Sequence, residues 1–199
     1  MPLWHRLQGQ DPGMIVCRGD DHAFRLTELT KMTLDEVNEL SPAAFRQAFA
    51  AIAEHSPWVA DHALAARPYA SLEAAIDSFQ EAVAQASREK QFALVQAHPD
   101  LAGRAALAGD LEPESRSEQA SVGLDKLTDE EMTLFQRLNA RYRERFGFPF
   151  ILAIRGASKA RILDAFQLRV DGGREEEFTT ALAQVMRIIR FRLEDRIDD

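Results

Sequence analysis

Side chains able to carry out chemistry are concentrated between Ala97 and Ile154. The stretch begins with Ala97-His98-Pro99-Asp100-Leu101, continues with Ser115-Arg116-Ser117-Glu118-Gln119 and closes with Phe146-Gly147-Phe148-Pro149-Phe150. An imidazole has an ordinary pKa of ~6.5, so that of His98 can accept a proton and return it close to neutral pH. His98 is therefore the candidate acid–base group of this stretch.

Each of these residues also has a plain structural interpretation. A histidine before proline at a helix end is commonly a satisfied structural residue, and Glu118 alone is typical of a solvated carboxylate near a helix start. Ser115 alone could be an N-cap. Asn139 and Tyr142 share one helix face, where Tyr142 is interpreted as a core residue, so neither is included in the candidate site.

Signatures of other chemistries are absent from the sequence. It contains no Gly-Lys phosphate loop, no Gly-x-Ser-x-Gly elbow, no His-Glu-x-x-His motif and no cysteine pair. His55 and His62 are seven residues apart, but Ser56-Pro57 breaks the helix that would align them. We therefore interpret both histidines as solvated surface residues and expect no metal site.

Length and composition predict one globular domain with a small-molecule or protein partner. The chain has 199 residues, of which 46% are hydrophobic and 28% charged, and these values exclude a mainly disordered chain. Its net charge of −8 argues against nucleic acid or an anionic membrane as the main partner. A single cysteine, Cys17, cannot form an internal disulfide, which favours the cytoplasm. No apolar run approaches the ~20 residues of a membrane span.

Helix-capping signals begin at Thr33, and their number predicts an all-α fold. Thr33 with Glu36 and Thr128 with Glu131 are capping-box pairs, and Ser41-Pro42, Ser71 and Ser158 are further helix starts. Apolar residues recur at helical spacing after each start. Residues 148–154 form a short apolar run that could be a buried strand or a buried extended loop. We expect a helical bundle of seven to nine helices over residues 33–199, preceded by an irregular arm over residues 1–32.

The sequence resembles a known family, the 2-oxo-4-hydroxy-4-carboxy-5-ureidoimidazoline (OHCU) decarboxylases of urate degradation. Three segments carry the resemblance, in this order: His-Pro-Asp-Leu, Ser-x-x-Glu-Gln and Phe-Gly-Phe-Pro-Phe. The resemblance covers about residues 33–196. It implies an all-helical homodimer that converts its small anionic substrate to (S)-allantoin without a cofactor.

The same resemblance assigns roles to individual residues. His98 matches the catalytic histidine, and Glu118 matches the acidic partner near it. Arg192 matches a substrate-side arginine near the C-terminus, although Arg190 is close enough in sequence to be confused with it. Substrate contacts are expected at Pro99, Ser115, Arg116, Ser117, Gln119, Phe150, Ile151, Leu152, Ala153, Ile154 and Arg192.

The chemistry of this substrate is consistent with these residue types. Its carboxylate is on a hydroxyl-bearing carbon beside a carbon–nitrogen double bond, so the electrons released with CO2 can flow into that imine. The protein must move protons and orient the substrate, and His98 can cycle between those proton transfers. A carboxylate at Glu118 would fix the tautomer of the imidazole and raise its pKa.

Two other functions stay open from the sequence. The chain could be a catalytically inactive helical binding protein of the same fold, or a decarboxylase or tautomerase for another cyclic ureide. Residues 137–169 have a net charge of +6. This charge could steer a small carboxylate toward its pocket, or it could pair across a dimer.

Overall fold

The structure is a computed structural model, and it describes residues 31–103 and 111–198. Within these residues the chain forms nine α-helices and one short 3-10 turn. In chain order they are α1 (Leu34–Glu39), α2 (Pro42–Phe49), the 3-10 turn (Ala50–Ile52), α3 (Trp58–Leu64), α4 (Leu72–Gln85), α5 (Arg88–Ala97), α6 (Pro113–Ser121), α7 (Asp129–Phe146), α8 (Lys159–Arg169) and α9 (Arg174–Glu194). The prediction of an all-α fold is confirmed. The predicted arm falls almost entirely on residues 1–30, outside the described residues.

Local side-chain caps define most of the helix starts. Both capping boxes form, and the hydroxyls of Ser41, Ser71 and Ser158 each accept a hydrogen bond from the backbone three residues later. The predictions of these helix starts are confirmed. Ser87 caps a further helix, so residues 72–97 form two helices, α4 and α5.

Aromatic side chains fill the core between the helices. One cluster joins Phe45 and Phe49 of α2 to Phe79 of α4, with ring centroids 4.7–6.2 Å apart. Helix α9 packs against α4, α5 and α7. Because α9 is the longest helix, it brings a residue near its C-terminal end, Arg192, across the core to the other helices. No helix of the described residues has the length and apolar character needed to cross a membrane.

Residues 148–154 are extended but belong to no sheet, so the alternative of a buried extended loop is the one observed. Pairing in the described residues is limited to two short parallel strands, β1 (Met32–Thr33) and β2 (Ile197–Asp198). The extended segment is buried at Phe148, Phe150 and Ile151. It therefore forms a wall of the interior instead of a sheet edge.

Candidate active site

The motif segments meet at one narrow cavity. Its walls come from the end of α5, helix α6, the extended segment and helix α9. The lining residues are His98, Pro99, Leu101, Ser115, Glu118, Gln119, Phe150, Ile151, Leu152, Ile154, Ile188 and Arg192. Segments that are far apart in sequence therefore build a single site.

His98 is the residue that ends helix α5, and only 6% of its surface is exposed. Its Nδ1 atom lies 2.9 Å from the carbonyl oxygen of Leu94. Because a carbonyl oxygen can only accept a hydrogen bond, Nδ1 carries a proton in this contact. In the neutral ring the lone pair is then on Nε2, which can accept a proton from a molecule in the cavity.

The pKa of His98 is lowered to about 4, mainly by burial and also by the positive charge of Arg192, against the opposing effect of the Leu94 carbonyl. At neutral pH the ring is therefore neutral. The neutral imidazole can accept a proton at Nε2, and its low pKa makes it a weak base and makes its protonated form a good proton donor.

The turn after His98 is held by two amide side chains. Asn139 donates from Nδ2 to the carbonyl oxygen of Leu101 at 2.9 Å, and Gln119 accepts at Oε1 from the backbone N–H of Ala102 at 2.9 Å. Ala102 has a positive φ of 50°. A non-glycine residue in this region is strained, so these hydrogen bonds help to keep the turn in place.

Arg192 is buried, with 4% of its side chain exposed, and it contacts two carboxylates. Its Nε and Nη2 atoms donate to the two oxygens of Glu118 at 2.7 and 3.0 Å, and Nη2 also donates to the Ser115 hydroxyl at 3.1 Å. Nη1 donates to Glu54 at 3.3 Å and to two carbonyls of the 3-10 turn. Burial by itself lowers the pKa of Arg192, but the carboxylates raise it above its ordinary value. The guanidinium stays charged.

The expected contact between Glu118 and His98 is not found. Glu118 forms a two-point ion pair with Arg192 instead. The tautomer of His98 is set by the Leu94 carbonyl, and its pKa is lowered rather than raised. Those two expectations were wrong because burial and a backbone acceptor outweigh a carboxylate that is already paired. Both residues nevertheless line the same cavity.

Arg192, and not Arg190, faces the cavity. Arg190 is nearer the surface and pairs with Glu73 and Glu194. Two residues apart on a helix are rotated by about 200°, so the two arginines face different sides of α9. Of the two arginines that the sequence left open, Arg192 is the one that lines the cavity, and its contact with the substrate stays a prediction.

Three predicted substrate contacts do not line the cavity. Arg116 is exposed and donates to the carbonyl oxygen of Leu111, and Ser117 borders a neighbouring cavity instead. The backbone N–H of Ala153 donates to the side chain of Gln184 at 3.0 Å. In α6, residues 116 and 117 face outward while Ser115 and Gln119 are buried. Helix periodicity therefore divides a continuous motif between two faces.

Sequence reasoning missed Leu101, Ile188 and Glu54. Leu101 and Ile188 line the cavity as apolar side chains, and an apolar residue type alone gave no reason to separate them from the core. Glu54 is buried behind the cavity, where it accepts from Ser115 at 2.9 Å and from Arg192. The available signal was a carboxylate directly after the apolar residues Ile52 and Ala53.

The extended wall is positioned by a buried polar network. Arg169 donates to the carbonyl oxygen of Ile151 at 2.8 Å and to Glu177 at 3.0 Å, and its guanidinium lies 4.6 Å from the ring centre of Phe150. Tyr142 donates to Glu177 at 2.5 Å. Burial, followed by this hydrogen bond, raises the pKa of Tyr142, so its hydroxyl stays protonated. Tyr142 therefore contributes to the buried hydrogen-bond network that holds residues 148–154 in place.

Much of the positive charge of residues 137–169 is paired within the chain. The pairs are Arg141 with Asp171, Arg143 with Asp100, Arg155 with Glu194 and Asp195, Lys159 with Glu131, and Arg169 with Glu177. Steering and pairing across a dimer stay predictions, but much of this charge is not free for either. Among residues 31–103 and 111–198, no three His, Cys, Asp or Glu side chains are grouped to hold a metal ion.

Comparison with known proteins gives one consistent family. The family model for OHCU decarboxylase matches residues 38–194. An OHCU decarboxylase of Haloferax volcanii is 44% identical over 166 residues, covering 83% of this chain and 96% of that protein. One from Halalkalicoccus jeotgali is 38% identical over 167 residues, covering 84% of this chain and 93% of that protein.

A solved structure of (S)-allantoin synthase matches with a TM-score of 0.66 and 31% identity. The match covers 84% of this chain, and this chain spans 55% of that longer one. The chain thus belongs to the OHCU decarboxylase family.

Proposed function

We propose that this protein catalyses the cofactor-free decarboxylation of OHCU to (S)-allantoin in urate degradation. One observation carries the proposal: a single narrow cavity contains both a buried neutral imidazole, His98, and a buried guanidinium, Arg192. The imidazole is suited to moving a proton, and the guanidinium is suited to holding a carboxylate. Relatives that this chain covers almost completely carry the name of this enzyme.

In the proposed mechanism His98 moves the protons. Nε2 accepts the proton of the substrate hydroxyl while the carbon–carboxylate bond breaks, and the electrons of that bond move into the adjacent imine, whose nitrogen takes up one proton from solvent. The resulting planar intermediate then takes a proton on the ureido-bearing carbon. The burial that lowers the pKa of His98 makes the imidazolium a ready donor for this second step.

The remaining residues orient the substrate and receive CO2. Arg192 binds the anionic end of the substrate, and Phe150, Ile154 and Ile188 form apolar walls of the same cavity. An apolar surface disfavours a carboxylate relative to neutral CO2. The walls therefore favour the step in which negative charge leaves the carboxyl group.

The decisive experiment generates the unstable substrate in place. Urate oxidase and hydroxyisourate hydrolase convert urate to OHCU, this protein is added, and absorbance and circular dichroism follow its consumption. We expect faster loss of OHCU together with a growing signal from (S)-allantoin. Decay at the spontaneous rate with racemic product would contradict the proposal and favour an inactive binding protein. A protein specific for another cyclic ureide would also fail this assay.

A matched pair of variants links the rate to the cavity. His98→Asn removes the imidazole, while His62→Asn makes the same change at an exposed position of α3. We expect only the first variant to lose turnover. Equal losses in both would mean that the assay does not report on this cavity.

We further propose that the protein acts in the cytoplasm as a homodimer. The single cysteine of the chain supports a reducing compartment. The resemblance to the OHCU decarboxylases supports the dimer. Light scattering of the purified protein tests the dimer, since a mass near twice 22.4 kDa is expected and a monomer mass would contradict it. Fractionation of the source cells tests the compartment.

A further inference from the structure

All the N–H groups of Arg192 are already used by protein acceptors. Its guanidinium has five of them, and six acceptor contacts surround it: both oxygens of Glu118, the Ser115 hydroxyl, Glu54 and two carbonyls of the 3-10 turn. An anion entering the cavity can bind this guanidinium only by replacing one of these acceptors.

The two carboxylates on Arg192 differ in how firmly they are held. The side chain of Glu54 is 2% exposed, and it also accepts from the Ser115 hydroxyl at 2.9 Å. The side chain of Glu118 is 31% exposed, and Arg192 is its hydrogen-bond partner. Moving Glu54 would leave a buried charge without a partner, which is costly, whereas Glu118 can regain water. Glu118 is the acceptor that can leave.

The surroundings of Glu118 leave space for such a movement. Glu118 lines the cavity of His98 and also a second, neighbouring cavity bordered by Ser117 and Arg196. Arg196 carries a buried Nη1 atom without a hydrogen-bond partner in the described residues. A carboxylate at this boundary can turn from one cavity toward the other without unfolding its helix.

We infer that Glu118 occupies the substrate-carboxylate position on Arg192, so that substrate binding exchanges one carboxylate for another. Glu54 stays as the permanent counterion and keeps the guanidinium in place during the exchange. The edge formed by Nε and Nη2, which now makes a two-point contact with Glu118, is the edge that receives the substrate. This inference rests on the proposed function, because it names the part of the substrate that Arg192 holds.

Calorimetric titration with two ureides tests the exchange. Allantoate carries a carboxylate and allantoin does not, and each is titrated into the wild type, Glu118→Gln and Glu114→Gln. Glu114 is one helical turn before Glu118 and pairs with Arg196, so its variant removes a nearby charge without touching Arg192. We expect Glu118→Gln to bind allantoate about tenfold more tightly, because a neutral amide competes less for the guanidinium.

The other titrations make the result specific. Allantoin affinity should change less than about twofold in Glu118→Gln, and Glu114→Gln should change neither affinity by more than that. Unchanged or weaker allantoate binding in Glu118→Gln would overturn the exchange, as would the absence of allantoate binding in every variant. In parallel, the same wild-type preparation is assayed for turnover of OHCU that is generated in the assay from urate. If turnover is normal while allantoate binding contradicts the exchange, only the exchange is wrong; absent turnover refutes the proposed function.

Discussion

Acidification from pH 7 to pH 5 should destabilise this protein partly through one residue, His98. Its pKa is about 4 in the folded protein and close to the ordinary value of 6.5 in the unfolded chain. Between these two values the unfolded chain binds more protons than the folded one, so the free energy of unfolding falls as the pH falls. From pH 7 to pH 5 this linkage removes about 2 kcal/mol through His98 alone.

The substitution His98→Asn isolates this contribution. The variant keeps all other titrating groups, so the difference in free energy of unfolding between wild type and variant should shrink by about 2 kcal/mol over the same interval. Urea unfolding at pH 7, 6 and 5, followed by circular dichroism at constant ionic strength and protein concentration, measures it. His62→Asn, at an exposed site, should leave the pH dependence of the wild type unchanged.

A parallel pH dependence of wild type and His98→Asn would refute the reasoning. It would mean that His98 has nearly the same pKa in the folded and unfolded chains, so the ring would not be neutral because of burial. The proposed role of His98 as a base with a strongly acidic conjugate acid would then lose its physical basis. Titration of the His98 ring protons by NMR gives an independent check of the same pKa.

Four further outcomes are expected. His98→Asn should lower turnover of in-place OHCU by at least ~10²-fold with an unchanged far-UV spectrum, and a variant keeping more than about a third of the rate would remove His98 from the mechanism. Arg192→Lys keeps the charge but loses the two-point contact, so KM should rise more than kcat falls in steady-state kinetics; a loss confined to kcat would contradict a binding role. Glu54→Gln should lower the free energy of unfolding, measured in urea, by about 1–3 kcal/mol, because it weakens a buried charge-assisted contact with Arg192. The control Glu39→Gln changes an exposed residue and should leave the stability unchanged, so equal stabilities of the two variants would contradict the prediction. In heavy water the product should be (S)-allantoin with one deuterium on the ureido-bearing carbon, as read by chiral chromatography with mass detection, and racemic product at the full rate would rule out a positioned acid.

The sequence predicted which segments form the site better than it predicted how their side chains pair. The three motif segments do line one cavity, because each carries the buried residues that bring it to the core. The pairing of Glu118 could not be predicted, since its partner is 74 residues away on another helix. Glu54 was missed for the same reason: burial of a carboxylate depends on a guanidinium that approaches from the far end of the chain. The roles of the site residues stay predictions until the variants are measured.

The sequence by itself determined the helices and their starts. Caps such as Thr33 with Glu36 and Thr128 with Glu131 are complete within four consecutive residues, so their hydrogen bonds need no other part of the chain. The tertiary structure alone decided the charge state of the candidate site. Whether an imidazole is neutral and where a carboxylate is held depend on burial and on charges brought close by packing, and these quantities do not exist until the helices assemble.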